Sequence, residues 1–313
     1  MKVMLTGGAG FIGRWVVKGL LEMDRDIEVW VLDDLSNGSE GNLRELRQKR
    51  AFKEFIQGDV RKKELIRELF FQGFDICIHL AAQINVQESF NDPEKTFTTN
   101  VIGTYNILEE ARRYGTKVVL VGTCLVYDLA RSSTAINEQH RLNPVSPYAG
   151  SKLAAENLAE SYCYGYGVPV VICRPFNTYG PFQKSGMEGG VVSIFIKRNL
   201  EGKELEVFGD GTQTRDLLYV EDCVDFLLKA SFAEEAIGQI INAGTGRDIS
   251  ITELALLICR DKKRVRYLPH HHPQSEIAKL RCDYSRAQSL LGWKPSVSLK
   301  EGIARTEEWI KSR

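Results

Sequence analysis

The opening stretch KVMLTGGAGFIG narrows the choice of fold more than any other part of the chain. A short apolar run passes straight into a turn containing Gly7, Gly10 and Gly13, and an amphipathic stretch over 14–23 follows. A strand, a glycine turn and a helix in that order let backbone approach a pyrophosphate at a helix N-terminus. Asp33 comes 20 residues after Gly13, at the end of EVWVLDD, where a carboxylate can accept the hydroxyls of a ribose. The same charge repels a 2′-phosphate, so the pattern favours NAD over NADP. Phe11 and Ile12 sit within the turn. GDV at 58–60 follows FKEFIQ and offers Asp59 to the adenine amino group, with Val60 against the ring. HLAA at 79–82 places Leu80, Ala81 and Ala82 where the cofactor crosses the sheet edge, and His79 reads as structural.

The rest of the first half repeats this alternation. DICIHLAA, KVVLVGT and PVVICRPF are apolar runs of strand length, separated by helical stretches at 94–113 and 149–163. Such alternation predicts an α/β fold, a doubly wound Rossmann-type parallel sheet covered on both faces. After about residue 176 the pattern loosens, with Gly-rich turns at 186–190 and 209–211 and helical stretches at 220–232 and 299–311. The chain is thus divided into a cofactor-binding domain over 1–176 and a smaller C-terminal substrate-binding lobe over 177–313, with some segments of the lobe returning to the first domain.

Composition removes several classes of function. Lysine and arginine number 41 against 41 acidic residues, so no global field favours nucleic acid or an anionic membrane. No apolar run approaches the length of a membrane span and no leader pattern follows Met1, which makes the cytoplasm the expected location. Seven scattered cysteines suit a reducing compartment and suggest neither zinc nor a disulfide framework. The run HHH at 270–272 lies between prolines without further ligands at metal spacing and reads as a loop.

The chemistry concentrates in two short motifs. SPYAGSK places Tyr148 and Lys152 four residues apart, on one helical face. An ammonium near a phenol favours the phenolate and moves its pKa towards a range where it can take a proton from a sugar hydroxyl. Thr123, in VLVGTCLVYD, stands just past a strand, where its hydroxyl can hydrogen-bond the substrate oxygen as that oxygen changes charge.

Together GGAGFIG, Asp33, HLAA, NVIGTYNILE, GTCLVYD, SPYAGSK, RPFNTYGP and GDGTQTRDLLYVED resemble the extended short-chain dehydrogenase/reductase family, in particular its nucleotide-sugar epimerases and dehydratases. The resemblance spans almost the whole chain. It implies a tightly held NAD, reduced and reoxidised within one turnover, a nucleoside diphosphate sugar between the lobes, and a homodimer formed through the helices near 94–113 and 148–163. On that pattern Asn100 supports the active-site strand, while Pro175 and Phe176 line the nicotinamide pocket. Gln83, Cys124, Leu125, Asn177, the 189–192 turn with Val191, Val207 and Arg215 would meet the substrate, and Lys279 or Arg281 would add charge for the diphosphate.

Two parts of the chain point to different reactions. A 4-epimerase oxidises C4, lets the keto sugar turn, and returns hydride to the other face, which asks for no further acid or base. A 4,6-dehydratase must also remove the C5 proton, and members resembling dehydratases carry Glu where this chain has Leu125. Leucine cannot move a proton, and Cys124 reads mainly as a small filler. The tail from 273 to 293 and GRDIS at 246–250 look closer to amino-sugar 4,6-dehydratases, for which Glu88 is a candidate replacement base. The epimerase is preferred because reaction chemistry is local. A non-catalytic NAD sensor is the third alternative, and the intact Thr123, Tyr148 and Lys152 argue against it.

Overall fold

A computed structural model describes residues 1–23, 26–128, 134–186, 190–270 and 277–313. Its first half runs β1 (Lys2–Thr6), α1 (Phe11–Glu22), β2 (Glu28–Asp33), β3 (Phe52–Gln57), α2 (Lys63–Phe70), β4 (Ile76–His79), α3 (Val86–Asn91), α4 (Pro93–Phe97), α5 (Gly103–Tyr114), β5 (Lys117–Val121), α6 (Pro147–Tyr166) and β6 (Val170–Pro175). The second continues through β7 (Asn177–Tyr179), α7 (Val191–Leu200), β8 (Leu205–Phe208), β9 (Thr214–Tyr219), α8 (Val220–Phe232), β10 (Ile240–Ala243), β11 (Asp248–Ser250), α9 (Ile251–Cys259), β12 (Val265–Leu268), α10 (Ser285–Leu291) and α11 (Leu299–Lys311).

The strands of apolar runs form a seven-stranded parallel sheet in the order β3-β2-β1-β4-β5-β6-β10. β4, β5 and β6 are buried along their whole length, as a sheet covered on both faces requires. One apolar cluster, with Val3, Val29, Val119 and Val171, packs under α1 and α8. The other, with Met4, Cys77, Val118 and Ile172, packs under α2, α5 and α6. Burying one such valine or leucine contributes about 1.5–3 kcal/mol, so the sheet is a stiff platform for whatever projects from its ends. The strand order reverses between β1 and β4, and the crevice above that point is where a doubly wound sheet takes its ligand.

Beyond residue 176 a three-stranded sheet, β11-β9-β7, and a parallel pair, β12-β8, build the smaller lobe. The lobe is interleaved with the first unit: β10 pairs with β6 and α8 packs on α1. Asp216 on β9 ties the tail down, accepting hydrogen bonds from the backbone N–H groups of Thr245, Gly246 and Cys282.

Two helices carry the site. α6 starts sharply because the Ser146 side chain accepts from Ala149 N and Pro147 occupies the first turn; it ends at Gly167, whose left-handed backbone closes the last turn. The stretch predicted as one helix over 94–113 is instead α4, a π-helical turn over Thr98–Ile102, and α5. Within that turn Asn100 is buried and reaches the neighbouring elements. Among the described residues no helix is long and apolar enough to cross a membrane.

Candidate active site

The glycine turn between β1 and α1 is built to admit a ligand. Gly7 has φ +73° and a Cβ there would sit 2.7 Å from Ala81 N; a Cβ on Gly13 would sit 2.1 Å from the Gly7 carbonyl oxygen. Any side chain at 13 would therefore push the N-terminus of α1 off the turn. A cavity of about 160 Å³ opens here, lined among others by Gly10, Phe11, Ile12, Val60, Leu80, Ala81 and Ala82. Asp33 closes one end, its two oxygens accepting from Ala9 N at 2.9 Å and Leu35 N at 2.8 Å. Burial holds its carboxyl above the ordinary range, against the opposing pull of the backbone N–H groups. Asp34, Ser36, Asn37, Gly38 and Thr99 line the same cavity and were not found from the sequence; the only signal was a polar turn after two aspartates.

Asp59 departs from the expectation. It is absent from the cavity lining, where Gly58 and Val60 stand on either side, and its carboxylate is engaged by Arg61 at 2.7 Å. Val60 remains, packed beside the turn with Gly103 against it. His79 is held between Thr6 Oγ1 (2.6 Å) and Thr104 Oγ1 (3.1 Å), and burial pushes its pKa down to about 3. Both ring nitrogens are thus occupied in joining β1 to α5.

A second cavity of about 310 Å³ continues from the first across the ends of β5 and β6. Thr123, Cys124, Leu125, Tyr148, Lys152, Pro175, Phe176, Asn177 and Val191 all line it. Gly189, part of the predicted 189–192 turn, lies outside the described residues, as do His271 and His272; the His270 ring meets the edge of Phe208 at 6.5 Å. Asn177 Oδ1 is buried without a hydrogen-bond partner, so the crevice holds an acceptor ready for a donor.

The electrostatics of the pair differ from the expectation. Burial pushes the Tyr148 phenol up to about 12, opposed by a hydrogen bond with Thr123, and pulls Lys152 down to about 8, opposed by the charge of Glu156. Lys152 Nζ donates to the Val121 carbonyl. With the ammonium spent on that carbonyl, desolvation outweighs any pull towards phenolate.

Other predicted residues sit away from this crevice. Gln83 is buried, with its side chain donating to Asn85 O (3.1 Å) and Glu88 Oε2 (3.0 Å) and its backbone N–H held by Asn100 Oδ1 (2.8 Å). It faces a separate polar cavity with Glu88 and Lys95. Asn100 also donates to Ser151 Oγ at 2.8 Å, so it braces α6 and does not line either cavity. Val207 is wholly buried in β8. Arg215 donates from Nη1 to Thr214 O and Ile277 O, both at 2.8 Å, and Lys279 stands 3.9 Å from Asp248. The Arg281 carbonyl accepts from Ile136 N at 2.7 Å. None of Val207, Arg215, Lys279 and Arg281 lines the 310 Å³ crevice.

Comparison with known proteins now decides the family. Residues 3–244 match the model of the NAD dependent epimerase/dehydratase family. The chain belongs to that family. It is 36% identical over 312 residues to a putative UDP-glucose 4-epimerase of Methanocaldococcus jannaschii, covering 99% of this chain and 98% of that one. Among solved structures it is similar to Pal from Bacillus thuringiensis, with TM-score 0.97 and 54% identity over 100% of this chain and 99% of the other. It is also similar to DesIV, a dTDP-glucose 4,6-dehydratase from Streptomyces venezuelae solved with NAD, at TM-score 0.93 and 30% identity over 100% and 98%. The protein is an NAD-dependent enzyme, and the glycine cradle and Asp33 fit that cofactor: the turn leaves no room for a side chain where the pyrophosphate would lie, and each Asp33 oxygen keeps acceptor capacity beyond the backbone bond it already takes. When bound, NAD supplies a hydride acceptor and donor.

Proposed function

We propose that the protein is a nucleotide-sugar 4-epimerase acting through a transient 4-keto sugar. The observation that carries this is the titratable content of the catalytic crevice. Among the described residues lining it, Tyr148, Lys152, Cys124 and Tyr179 are the only titratable ones, and no carboxylate is present. Tyr179 is buried with its hydroxyl donating to Leu299 O, and the Cys124 thiol is buried in an apolar cluster with Val126 and Ile136; neither has a lysine one helical turn away, as Tyr148 has. Glu88, the candidate replacement base, lies outside the crevice, paired with Lys95 at 2.5 Å and held below the usual range by that bond and by Gln83.

The remaining groups suffice for one oxidation and its reversal. Tyr148, as the phenolate, takes the proton of the C4 hydroxyl as hydride leaves that carbon and so becomes the phenol, and it returns the proton in the reverse step. Thr123, already hydrogen-bonded to Tyr148, orients the oxygen between them. Lys152, one helical turn from Tyr148, favours that phenolate against the desolvation that opposes it. Leu125 and Phe176 leave an apolar wall against which the keto sugar can turn without meeting a base. A nucleoside diphosphate would run from the crevice into the smaller lobe towards Arg215, Lys279 and Arg281, cations of the kind a diphosphate requires.

The reading extends to assembly as a homodimer through α5 and α6. Tyr164 and Tyr166 at the end of α6 are 75% and 63% exposed, and Phe97 on α4, Ile102 in the π-helical turn and Tyr114 at the end of α5 are also exposed. Seven free cysteines fit a cytoplasmic setting. The test is incubation of the NAD-loaded protein with a panel of nucleotide sugars. A C4-inverted isomer of unchanged mass supports the proposal; a product lighter by one water overturns it.

A further inference from the structure

Directly beneath the catalytic pair lies a buried acid that the reaction as written does not use. Glu156 follows Lys152 by one helical turn, so that Tyr148, Lys152 and Glu156 share one face of α6. It is completely buried. Its Oε2 accepts from Arg174 Nε at 3.0 Å and Nη2 at 2.6 Å, whereas Oε1 has no hydrogen-bond partner. That oxygen is aimed at the backbone after β5: a Cβ on Gly122 would lie 2.0 Å from it. Gly122 stands between Val121, whose carbonyl receives the Lys152 ammonium, and Thr123, whose hydroxyl meets Tyr148.

Arg174 is itself planted. Its Nη1 donates to the Tyr127 hydroxyl at 2.8 Å, which donates to Asn242 Oδ1 at 2.8 Å on the neighbouring strand β10. The carboxylate is therefore fixed in depth and direction by two strands of the sheet, β6 and β10, and the turn after β5.

We propose that Glu156 is a positioning residue for the catalytic pair: its buried charge keeps Lys152 protonated, and its Oε1 occupies the space that makes position 122 a glycine and holds the Val121–Thr123 turn in register with α6. The inference rests on the roles proposed above for Tyr148 and Lys152. A buried ammonium pays for desolvation unless an anion is near, and the other groups facing this one supply none. His79 on β4 is neutral, Cys124 after β5 is a thiol, Tyr127 is held as a phenol by burial, and Arg174 on β6 is a cation. Burial raises the Glu156 carboxyl, opposed first by Arg174, whose two hydrogen bonds favour the ionised form, and Glu160, the next acid on α6, raises it further. Glu156 opposes the burial of Lys152 and also raises the Tyr148 phenol, so losing its charge lowers both.

The test is to titrate Lys152 directly in NAD-loaded protein carrying ε-13C lysine, with the signal assigned by its loss in Lys152→Arg. In Glu156→Gln the titration should fall by about one pH unit or more, the scale on which a nearby opposite charge acts. Both limbs of the kcat–pH profile should move to lower pH with it. Glu156→Asp, which keeps the charge, should stay near the wild type. If Glu156→Gln does not fold, Glu156→Gln combined with Arg174→Met leaves no guanidinium unpaired; because a cation is removed with the anion, the expected fall is smaller but in the same direction. An unshifted Lys152 titration in either folded variant overturns the inference. Normal turnover in Tyr148→Phe would instead overturn the catalytic roles while leaving the titration result to stand by itself.

Discussion

At Tyr148 burial and function pull in opposite directions. The phenol is pushed up to about 12 in the free crevice, so the proton it must lose is released only when charge arrives beside it. Tyr148→Phe should lower kcat by about 10²–10⁴-fold, the usual worth of a positioned acid–base group. Thr123→Val removes one oriented hydrogen bond and should cost ~2–3 kcal/mol in the oxidation barrier, read as kcat/KM with NAD saturating. Cys124→Ala should change kcat far less, because the thiol is buried among Val126, Ile136 and Cys282 and serves packing. These three positions were legible in the sequence because a strand end and an i,i+4 pair fix where side chains go. Glu156 was not. An acid one turn past a lysine looks like a surface pair until Arg174, from a strand 18 residues on, is seen to bury it.

The elements around the cofactor groove show the same division. The first strand, turn and helix could be placed from spacing alone, since only glycines permit that backbone approach. Gly13→Ala should therefore yield protein that loses its NAD on gel filtration, measured by absorbance of the released cofactor, whereas Gly150→Ala, with open space around its Cβ, should retain it. The π-helical turn could not be placed, because nothing in the local sequence 94–113 separates it from continuous helix; it exists to let Asn100 reach Gln83 and Ser151 at once. His79 links β1, β4 and α5 through two threonines. The unfolded chain protonates this histidine below about 6.5, while the native protein resists until about 3. The native state therefore binds fewer protons in that window, and stability is lost as pH falls through it. Melting temperature should drop between pH 6.5 and 4, and drop less in His79→Asn; equal losses would remove His79 as the cause.

For the whole molecule, the doubly wound parallel sheet followed from the alternation of elements, but its strand order and the ligand-facing side of the smaller lobe did not. Val207, Arg215, Lys279 and Arg281 were chosen by chemistry and motif. Their contacts depend on pairings such as β8 with β12 and Thr214 with Lys279, which no sequence period reveals. Exposed aromatics on α5 and α6 carry the assembly prediction: the protein should be dimeric by light scattering at micromolar concentration, and Ile102→Asp with Tyr164→Asp should make it monomeric. The central claim is that a crevice with no carboxylate among its described lining residues oxidises and reduces C4 and never deprotonates C5. Turnover of a nucleotide sugar in heavy water tests that most directly. The account predicts a C4-inverted product of unchanged mass with no deuterium at C5; deuterium at C5 in a product lighter by water would contradict it.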